Sequence, residues 1–114
     1  MYWYHTEEEH QVGAVERYHG DHPRARYLVE FADGECYLCA YDMSFESENG
    51  CDLDIEPDDP RYDEFYQAVL RILETVKDGS RRYNEWLSID YRDFPASIKD
   101  ADTGTVVYPA GQPQ

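Results

Sequence analysis

The chain is short of basic residues. It has 10 Lys and Arg against 25 Asp and Glu, which leaves a formal net charge of −15 over 114 residues. This charge disfavours binding to a nucleic acid or to an anionic membrane surface, because both are polyanions. We therefore expect basic or neutral partners, and no direct contact with nucleic acid or membrane.

The sequence also lacks the motifs of established enzymes. It contains no GxSxG, Walker, HExxH or glycine-rich dinucleotide motif. Its three cysteines, Cys36, Cys39 and Cys51, are an odd number, and residues three apart on a strand face opposite sides, so neither a disulfide framework nor a zinc site is expected. The four histidines all lie in the first 22 residues, without a fixed ligand spacing. We expect no catalytic residue, no cofactor and no metal.

The sequence disfavours a calcium-binding loop. Asp52, Asp54, Glu56 and Asp63 occupy positions 1, 3, 5 and 12 of such a loop. Position 6, where the sharp turn needs a glycine, is Pro57, and the last ligand would be an Asp instead of a bidentate Glu. Weak and nonspecific cation binding is the most that this spacing predicts.

Long apolar segments are absent as well. Residues 1–5 have neither the basic nor the apolar region of a secretory signal, and no window approaches the roughly 20 apolar residues of a membrane span. We expect a cytoplasmic protein of a bacterial cell. Its length and its 41% hydrophobic content suit one core, so we predict a single domain over residues 1–108 and a flexible tail over residues 109–114.

The segment from Asp59 to Gly79 has the pattern of a long helix. Asp59 suits the cap, Pro60 the first helical position and Gly79 the stop. Apolar residues recur at steps of three and four positions: Tyr62, Phe65, Tyr66, Val69, Ile72, Leu73 and Val76. This periodicity predicts a helix with one apolar stripe.

The other segments indicate strands. Arg24–Ala32 and Glu35–Met43 flank Asp33-Gly34, a strong hairpin signal. Weaker strands are predicted at Gln11–Tyr18, which Gly13 interrupts, and at Tyr2–His5. Further strands are predicted over Leu87–Tyr91, Ser97–Asp100 and Thr105–Tyr108. The fold class expected is α+β, a mainly antiparallel sheet with one long helix packed across one face.

The acids are concentrated in one stretch, because residues 27–60 contain eleven Asp and Glu and no Lys or Arg. Within it the segment Asp52–Glu56 alternates, so an extended strand would bury Leu53 and Ile55 and expose Asp52, Asp54 and Glu56. Those carboxylates would repeat about every 6.6 Å. Such a row resembles one strand of a phosphate backbone.

The candidate partner-binding residues are these acids, those at the start of the predicted helix and two aromatic anchors. They are Asp42, Glu46, Glu48, Asp52, Asp54, Glu56, Asp58, Asp59, Asp63, Glu64, Tyr41 and Trp86. Tyrosine is abundant, with eleven in the chain, and tyrosine and tryptophan are enriched at interface centres. Tyr62, Tyr66 and Tyr83 are further possible anchors, although the helical stripe favours a core role for Tyr62 and Tyr66.

A compact acidic chain with aligned carboxylates and many tyrosines resembles the small inhibitors of phages and mobile elements, notably nucleic-acid-mimicking anti-CRISPR proteins. It also resembles immunity proteins that neutralise nuclease toxins. The resemblance implies a noncatalytic inhibitor that occupies the basic nucleic-acid channel of a nuclease or CRISPR effector. A solvated acidic face on a housekeeping or interaction domain accounts for the same charge, so the sequence leaves both interpretations open.

Overall fold

An antiparallel sheet of six strands is the main element of the fold in the computed structural model, which describes residues 3–81 and 84–109. The strands are β1 (Arg26–Glu30), β2 (Cys36–Glu48), β3 (Glu64–Lys77), β4 (Trp86–Ile89), β5 (Ser97–Asp100) and β6 (Val106–Tyr108). Their order across the sheet is β4-β3-β2-β1-β5-β6, and every neighbouring pair is antiparallel. The α+β class and the antiparallel sheet are therefore confirmed.

The helices lie elsewhere than the sequence predicts. Thr6–His10 is a 3₁₀ helix, α1 (Val12–Asp21) has ten residues, α2 (Gly50–Leu53) is a single turn, and Tyr91–Asp93 is a second 3₁₀ helix. The weak strand predicted over residues 11–18 is wrong, because this segment forms most of α1. The strand predicted over residues 2–5 is also wrong for residues 3–5, which are irregular; Tyr2 is outside the described residues.

Gly13 explains why the sequence does not reveal α1. A Cβ at this position would lie 2.8 Å from Cζ2 of Trp3, closer than carbon atoms approach. The glycine therefore admits the Trp3 ring against the helix, and it does not interrupt a strand. That contact joins two segments ten residues apart and leaves no trace in local periodicity.

The long helix predicted over Asp59–Gly79 is wrong, because residues 64–77 form β3. Three register shifts interrupt the β2–β3 ladder and change which face each residue occupies; they lie between Thr75 and Lys77, between Ile72 and Glu74, and between Tyr41 and Met43. Apolar side chains also occur on both faces of this strand, so its sequence never shows a simple period of two. Together these two features reproduce the three- and four-residue spacing of a helix.

The hairpin at Asp33-Gly34 is confirmed. β1 and β2 pair from Arg26 with Ala40 to Glu30 with Cys36, and Gly34 has a φ of +96° in the turn. The later strands are confirmed as β4, β5 and β6, although Tyr91 begins the second 3₁₀ helix and is not part of β4. Residues 110–114 of the predicted tail are outside the described residues.

The core lies on one face of the sheet. Val12, Ala14 and Val15 of α1 belong to the same buried cluster as residues of the sheet. The sheet residues of this cluster include Tyr27, Val29, Tyr37, Cys39, Leu70, Leu87 and Ile98.

A buried carboxylate fastens the N-terminal segment to the sheet. Glu8 is fully buried, and its Oε1 accepts the backbone N–H groups of Tyr4, at 2.9 Å, and of His5, at 2.8 Å. Its Oε2 accepts the backbone N–H of Tyr66 at 2.6 Å. β4 pairs with β3 only from Ala68 to Arg71, so the N–H of Tyr66 lies beyond that ladder and finds its acceptor in Glu8.

We predict that Glu8→Ala lowers the free energy of unfolding by about 3 kcal/mol, because it leaves three N–H groups without their charged acceptor. Glu9→Ala is the matched control, since Glu9 is exposed and should change stability by less than about 0.5 kcal/mol. Urea denaturation followed by circular dichroism measures both. Equal stability of the two variants would contradict this role of Glu8.

Candidate functional site

The acidic segment around residue 54 is not a strand, which corrects the prediction for Asp52–Glu56. Asp52 lies in α2, and Asp54 has a φ of +54°, in the left-handed region. Leu53 is exposed instead of buried. Consequently the three carboxylates do not form a row with the spacing of a phosphate backbone.

Local hydrogen bonds bend the chain here and override the alternation of residue types. The side chain of Asn49 donates to the carbonyl of Arg61 at 2.9 Å and accepts the N–H of Asp63 at 2.8 Å. Glu48 Oε2 accepts the N–H of Gly50 at 2.6 Å. These bonds close residues 49–63 into a loop between β2 and β3.

Two of the ten candidate acids are paired within the protein. Asp59 contacts Arg61 at 3.0 Å, and Asp63 contacts His5 Nε2 at 2.8 Å. Among the described residues the others form no ion pair: Asp42, Glu46, Glu48, Asp52, Asp54, Glu56, Asp58 and Glu64.

Asp63 belongs to a structural cluster. The ring of His5 stacks on Tyr91 with centroids 3.8 Å apart, and the Tyr91 hydroxyl donates to the second oxygen of Asp63. Burial and the Asp63 carboxylate raise the pKa of Tyr91 to about 12. This cluster joins the N-terminal segment to the loop and to the second 3₁₀ helix, so Asp63 is already engaged within the fold.

Three of the unpaired acids meet at the end of the β2–β3 ladder. Here Glu46 pairs with Tyr66 and Glu48 with Glu64. The three carboxylates line a groove of about 210 Å³, which we call the acidic groove. Its lining residues are Tyr4, Glu46, Ser47, Glu48, Tyr62 and Glu64. A neighbouring depression of about 400 Å³ shares Glu48 and Tyr62 with it and is also lined by Asp54.

The carboxylates of the acidic groove repel one another. Glu48 is directly opposite Glu64 in the ladder, and like charges in that arrangement destabilise a sheet. No described Lys or Arg forms an ion pair with either of them. Glu48 Oε2 accepts the N–H of Gly50, and the Tyr62 hydroxyl lies close enough to both carboxylates for their charge to raise its pKa. The local negative charge is thus solvated and hydrogen-bonded but not neutralised.

Three tyrosines surround these acids and respond to their charge. Desolvation and the neighbouring Glu46 raise the pKa of Tyr66 to about 12, and its hydroxyl donates to Glu46 Oε1 at 2.9 Å. The pKa of Tyr4 and that of Tyr62 are raised by desolvation and then by nearby carboxylates, Glu64 among them. All three hydroxyls therefore stay neutral donors at physiological pH.

The two predicted aromatic anchors lie away from the acidic groove. Tyr41 is partly buried against the core and stacks on His19 at 4.3 Å between centroids. Trp86 is exposed and pairs with Arg71, on the sheet face opposite to Glu46 and Glu64. Tyr83 is outside the described residues.

Tyr4, Tyr62 and Tyr66 lie beside the acids in place of the predicted anchors Tyr41 and Trp86. Tyr62 and Tyr66 line or border the acidic groove because the segment is a strand and not a helix. Nothing in the sequence links Tyr4 to Glu46, since the N–H bonds of Glu8 bring the two together. The abundance of tyrosine is the one feature of the sequence that indicates tyrosines in this site.

The described residues offer no built site for a metal, because no three of their His, Cys, Asp or Glu side chains cluster suitably. Burial raises the pKa of the Cys39 thiol to about 12, which makes it a poor nucleophile, whereas Cys51 is exposed. No helix in residues 3–81 and 84–109 is long and apolar enough to cross a membrane.

No protein family model, no curated protein and no solved structure matches this chain.

We predict that Glu46→Gln lowers the pKa of Tyr66, because it removes both a nearby negative charge and a charged hydrogen-bond acceptor. Glu30→Gln removes an equal charge outside the acidic groove and should leave that pKa unchanged. NMR titration of ¹³Cζ-labelled tyrosine from pH 8 to pH 12 reports each phenol separately. An unchanged Tyr66 titration in Glu46→Gln would contradict the coupling.

Proposed function

We propose that this protein is a noncatalytic inhibitor that binds a basic protein surface through the acidic groove. The proposed target is the nucleic-acid-binding channel of a nuclease, in the manner of anti-CRISPR proteins. The observation that carries the proposal is the pairing of Glu48 with Glu64 beside three tyrosines, without an ion pair to any described basic residue. Repulsion between the two carboxylates destabilises the free protein. A cation that binds between them would offset this destabilisation.

The chemistry of the acidic groove suits a guanidinium or ammonium group. Carboxylates on two strands accept charge-assisted hydrogen bonds, and arginine can donate such bonds in bidentate geometry. The rings of Tyr4 and Tyr62 supply faces for cation–π contact and neutral hydroxyls for further hydrogen bonds. A volume of about 210 Å³ is of the order of one side chain and far below that of a folded partner element. Individual Arg or Lys side chains are the ligands that this groove favours.

Inhibition by this route depends on charge and not on the spacing of phosphates. Asp54 lines the adjoining depression, forms no ion pair among the described residues and adds to the negative field. Arg and Lys that hold a nucleic-acid backbone present the complementary positive field, so steering would accelerate association. Competition with the nucleic acid for the same cations would then block the nuclease.

A toxin immunity protein is the second candidate function. A compact groove that accepts single side chains favours recognition of one particular protein surface, as an immunity protein requires. A repeating row of carboxylates would favour nucleic-acid channels in general. The identity of the target separates the two candidates, since both use the same groove.

The test compares the parent with a variant that carries Glu46→Gln, Glu48→Gln and Glu64→Gln. We expect the parent, used as bait, to retain a nuclease or another nucleic-acid-binding protein from a host extract, and the variant to lose it. With the purified partner, inhibition should be competitive with nucleic acid, and its inhibition constant should rise at least about ten-fold between 50 and 300 mM salt, as charge-driven association requires.

The matched control carries Asp21→Asn, Glu30→Gln and Glu74→Gln, three exposed acids outside the acidic groove. It has the same net charge as the groove variant and should bind like the parent. Equal loss in both variants would indicate a general charge effect and would contradict a specific site. Retained inhibition by the groove variant would contradict the proposal altogether.

A further inference from the structure

One asparagine closes the loop between β2 and β3. Asn49 is only 8% exposed, and its backbone N–H donates to the carbonyl of Asp63 at 3.1 Å. Its side-chain oxygen accepts the N–H of Asp63 at 2.8 Å, and its side-chain nitrogen donates to the carbonyl of Arg61 at 2.9 Å. The side chain is therefore both donor and acceptor, a role that an amide fills and a carboxylate does not.

The residue that follows Asn49 has little space for a side chain. A Cβ on Gly50 would lie 2.4 Å from Oε2 of Glu48 and 3.2 Å from the carbonyl oxygen of Ile55. A larger residue would displace the Glu48 carboxylate or the backbone at Ile55. Packing in this loop thus favours glycine at position 50, and it produces an Asn-Gly pair at the start of α2.

An Asn-Gly pair carries the groups for its own modification. The backbone nitrogen of the glycine loses its proton and attacks Cγ of the asparagine, a cyclic imide forms, and the side-chain nitrogen leaves as ammonia with that proton. Water then opens the imide to aspartate or isoaspartate. Glycine favours the attack because it has no side chain and a freely rotating backbone. The other asparagine, Asn84, precedes Glu85 and lacks this advantage.

The native hydrogen bonds oppose this reaction at Asn49. The N–H of Gly50 points at Glu48 Oε2, 2.6 Å away, so the negative charge left by loss of the proton would face a carboxylate and be repelled. The side-chain amide is held by its bonds to Arg61 and Asp63 and turns toward the Gly50 nitrogen only when they break. Deamidation therefore requires local opening of residues 49–63.

We propose that Asn49 is a deamidation site which reacts only when this loop opens, and that its conversion destabilises the closed loop. In the aspartate product an oxygen replaces the nitrogen that donates to Arg61, so two oxygens face each other where a hydrogen bond was. Isoaspartate also lengthens the main chain by one carbon. Either product leaves the carbonyl of Arg61 without its donor. The proposal does not depend on the acidic groove.

The first test follows both asparagines of the parent protein at neutral pH, in native buffer and in concentrated urea, by mass-spectrometric peptide mapping. We expect Asn49 to deamidate at least about ten-fold faster in urea, because conversion in the native protein is limited by the population of the open loop. Asn84 is exposed and serves as the control in the same sample. It should convert slowly under both conditions.

A matched pair of variants tests the dependence on loop opening. Asp63→Ala removes the side-chain contacts with His5 and Tyr91 and leaves the backbone partners of Asn49 in place, so it should accelerate deamidation in native buffer several-fold. Asp58→Ala is the control, because Asp58 lies on the same loop, is exposed and forms no ion pair among the described residues. It should deamidate at the rate of the parent.

The consequence of conversion is tested with Asn49→Asp, which is the aspartate product made directly. We expect it to lower the urea midpoint of unfolding, whereas Asn84→Asp, with the same change of charge, should keep the midpoint of the parent. Three results would overturn the proposal: equal deamidation rates of Asn49 in native buffer and in urea, a rate in urea no higher than that of Asn84, or an unchanged midpoint in Asn49→Asp.

Discussion

The pairing of β2 with β3 is the constraint on which the rest of the structure depends. It is the longest ladder, and its register brings Glu46, Glu48 and Glu64 to one end of the sheet. Backbone hydrogen bonds along the whole ladder hold two carboxylates opposite each other, where their own electrostatics would separate them. The same register determines which apolar side chains lie on the core face and which on the opposite face of the sheet.

The N-terminal segment completes the arrangement at the acidic end of this ladder. Glu8 supplies the acceptor for the N–H of Tyr66, and His5 contacts Asp63, so residues 4–8 lie against the end of β3. This brings Tyr4 to the carboxylates. A negatively charged, fully buried Glu8 thus positions the wall of a negatively charged groove. The three N–H groups that donate to Glu8 offset the desolvation cost of burying its carboxylate.

The sequence predicts those parts of the fold that local chemistry determines. The Asp33-Gly34 turn, β5 and β6 depend on turn residues and short alternating segments, and they are confirmed. The sequence does not reveal α1, because Gly13 allows a close contact with Trp3, which lies on a different segment. The sequence of β3 has the spacing of a helix, because register shifts and apolar residues on both faces obscure the two-residue period of a strand. Asn49 imposes the bend that removes the predicted strand at residues 52–56.

The candidate site was predictable in its charge but not in its geometry. A run of acids without Lys or Arg identifies the region, and three of its members, Glu46, Glu48 and Asp54, line the acidic groove or the adjoining depression. The tyrosines that complete the groove are placed by long-range hydrogen bonds and strand register, which the sequence does not reveal. Trp86 is expected beside the acids because tryptophan is enriched at interface centres, but its pairing with Arg71 places it on the other face of the sheet.

The most direct test of the uncompensated repulsion is a double-mutant cycle on Glu48 and Glu64. The free energies of unfolding of the parent, Glu48→Gln, Glu64→Gln and the double variant are measured in urea at 20 mM and at 500 mM salt. We predict a repulsive coupling between the two carboxylates of about 0.2–1 kcal/mol at low salt, and a smaller one at high salt, where the charges are screened. A zero or attractive coupling at low salt would show that the protein already neutralises these charges and would contradict the account.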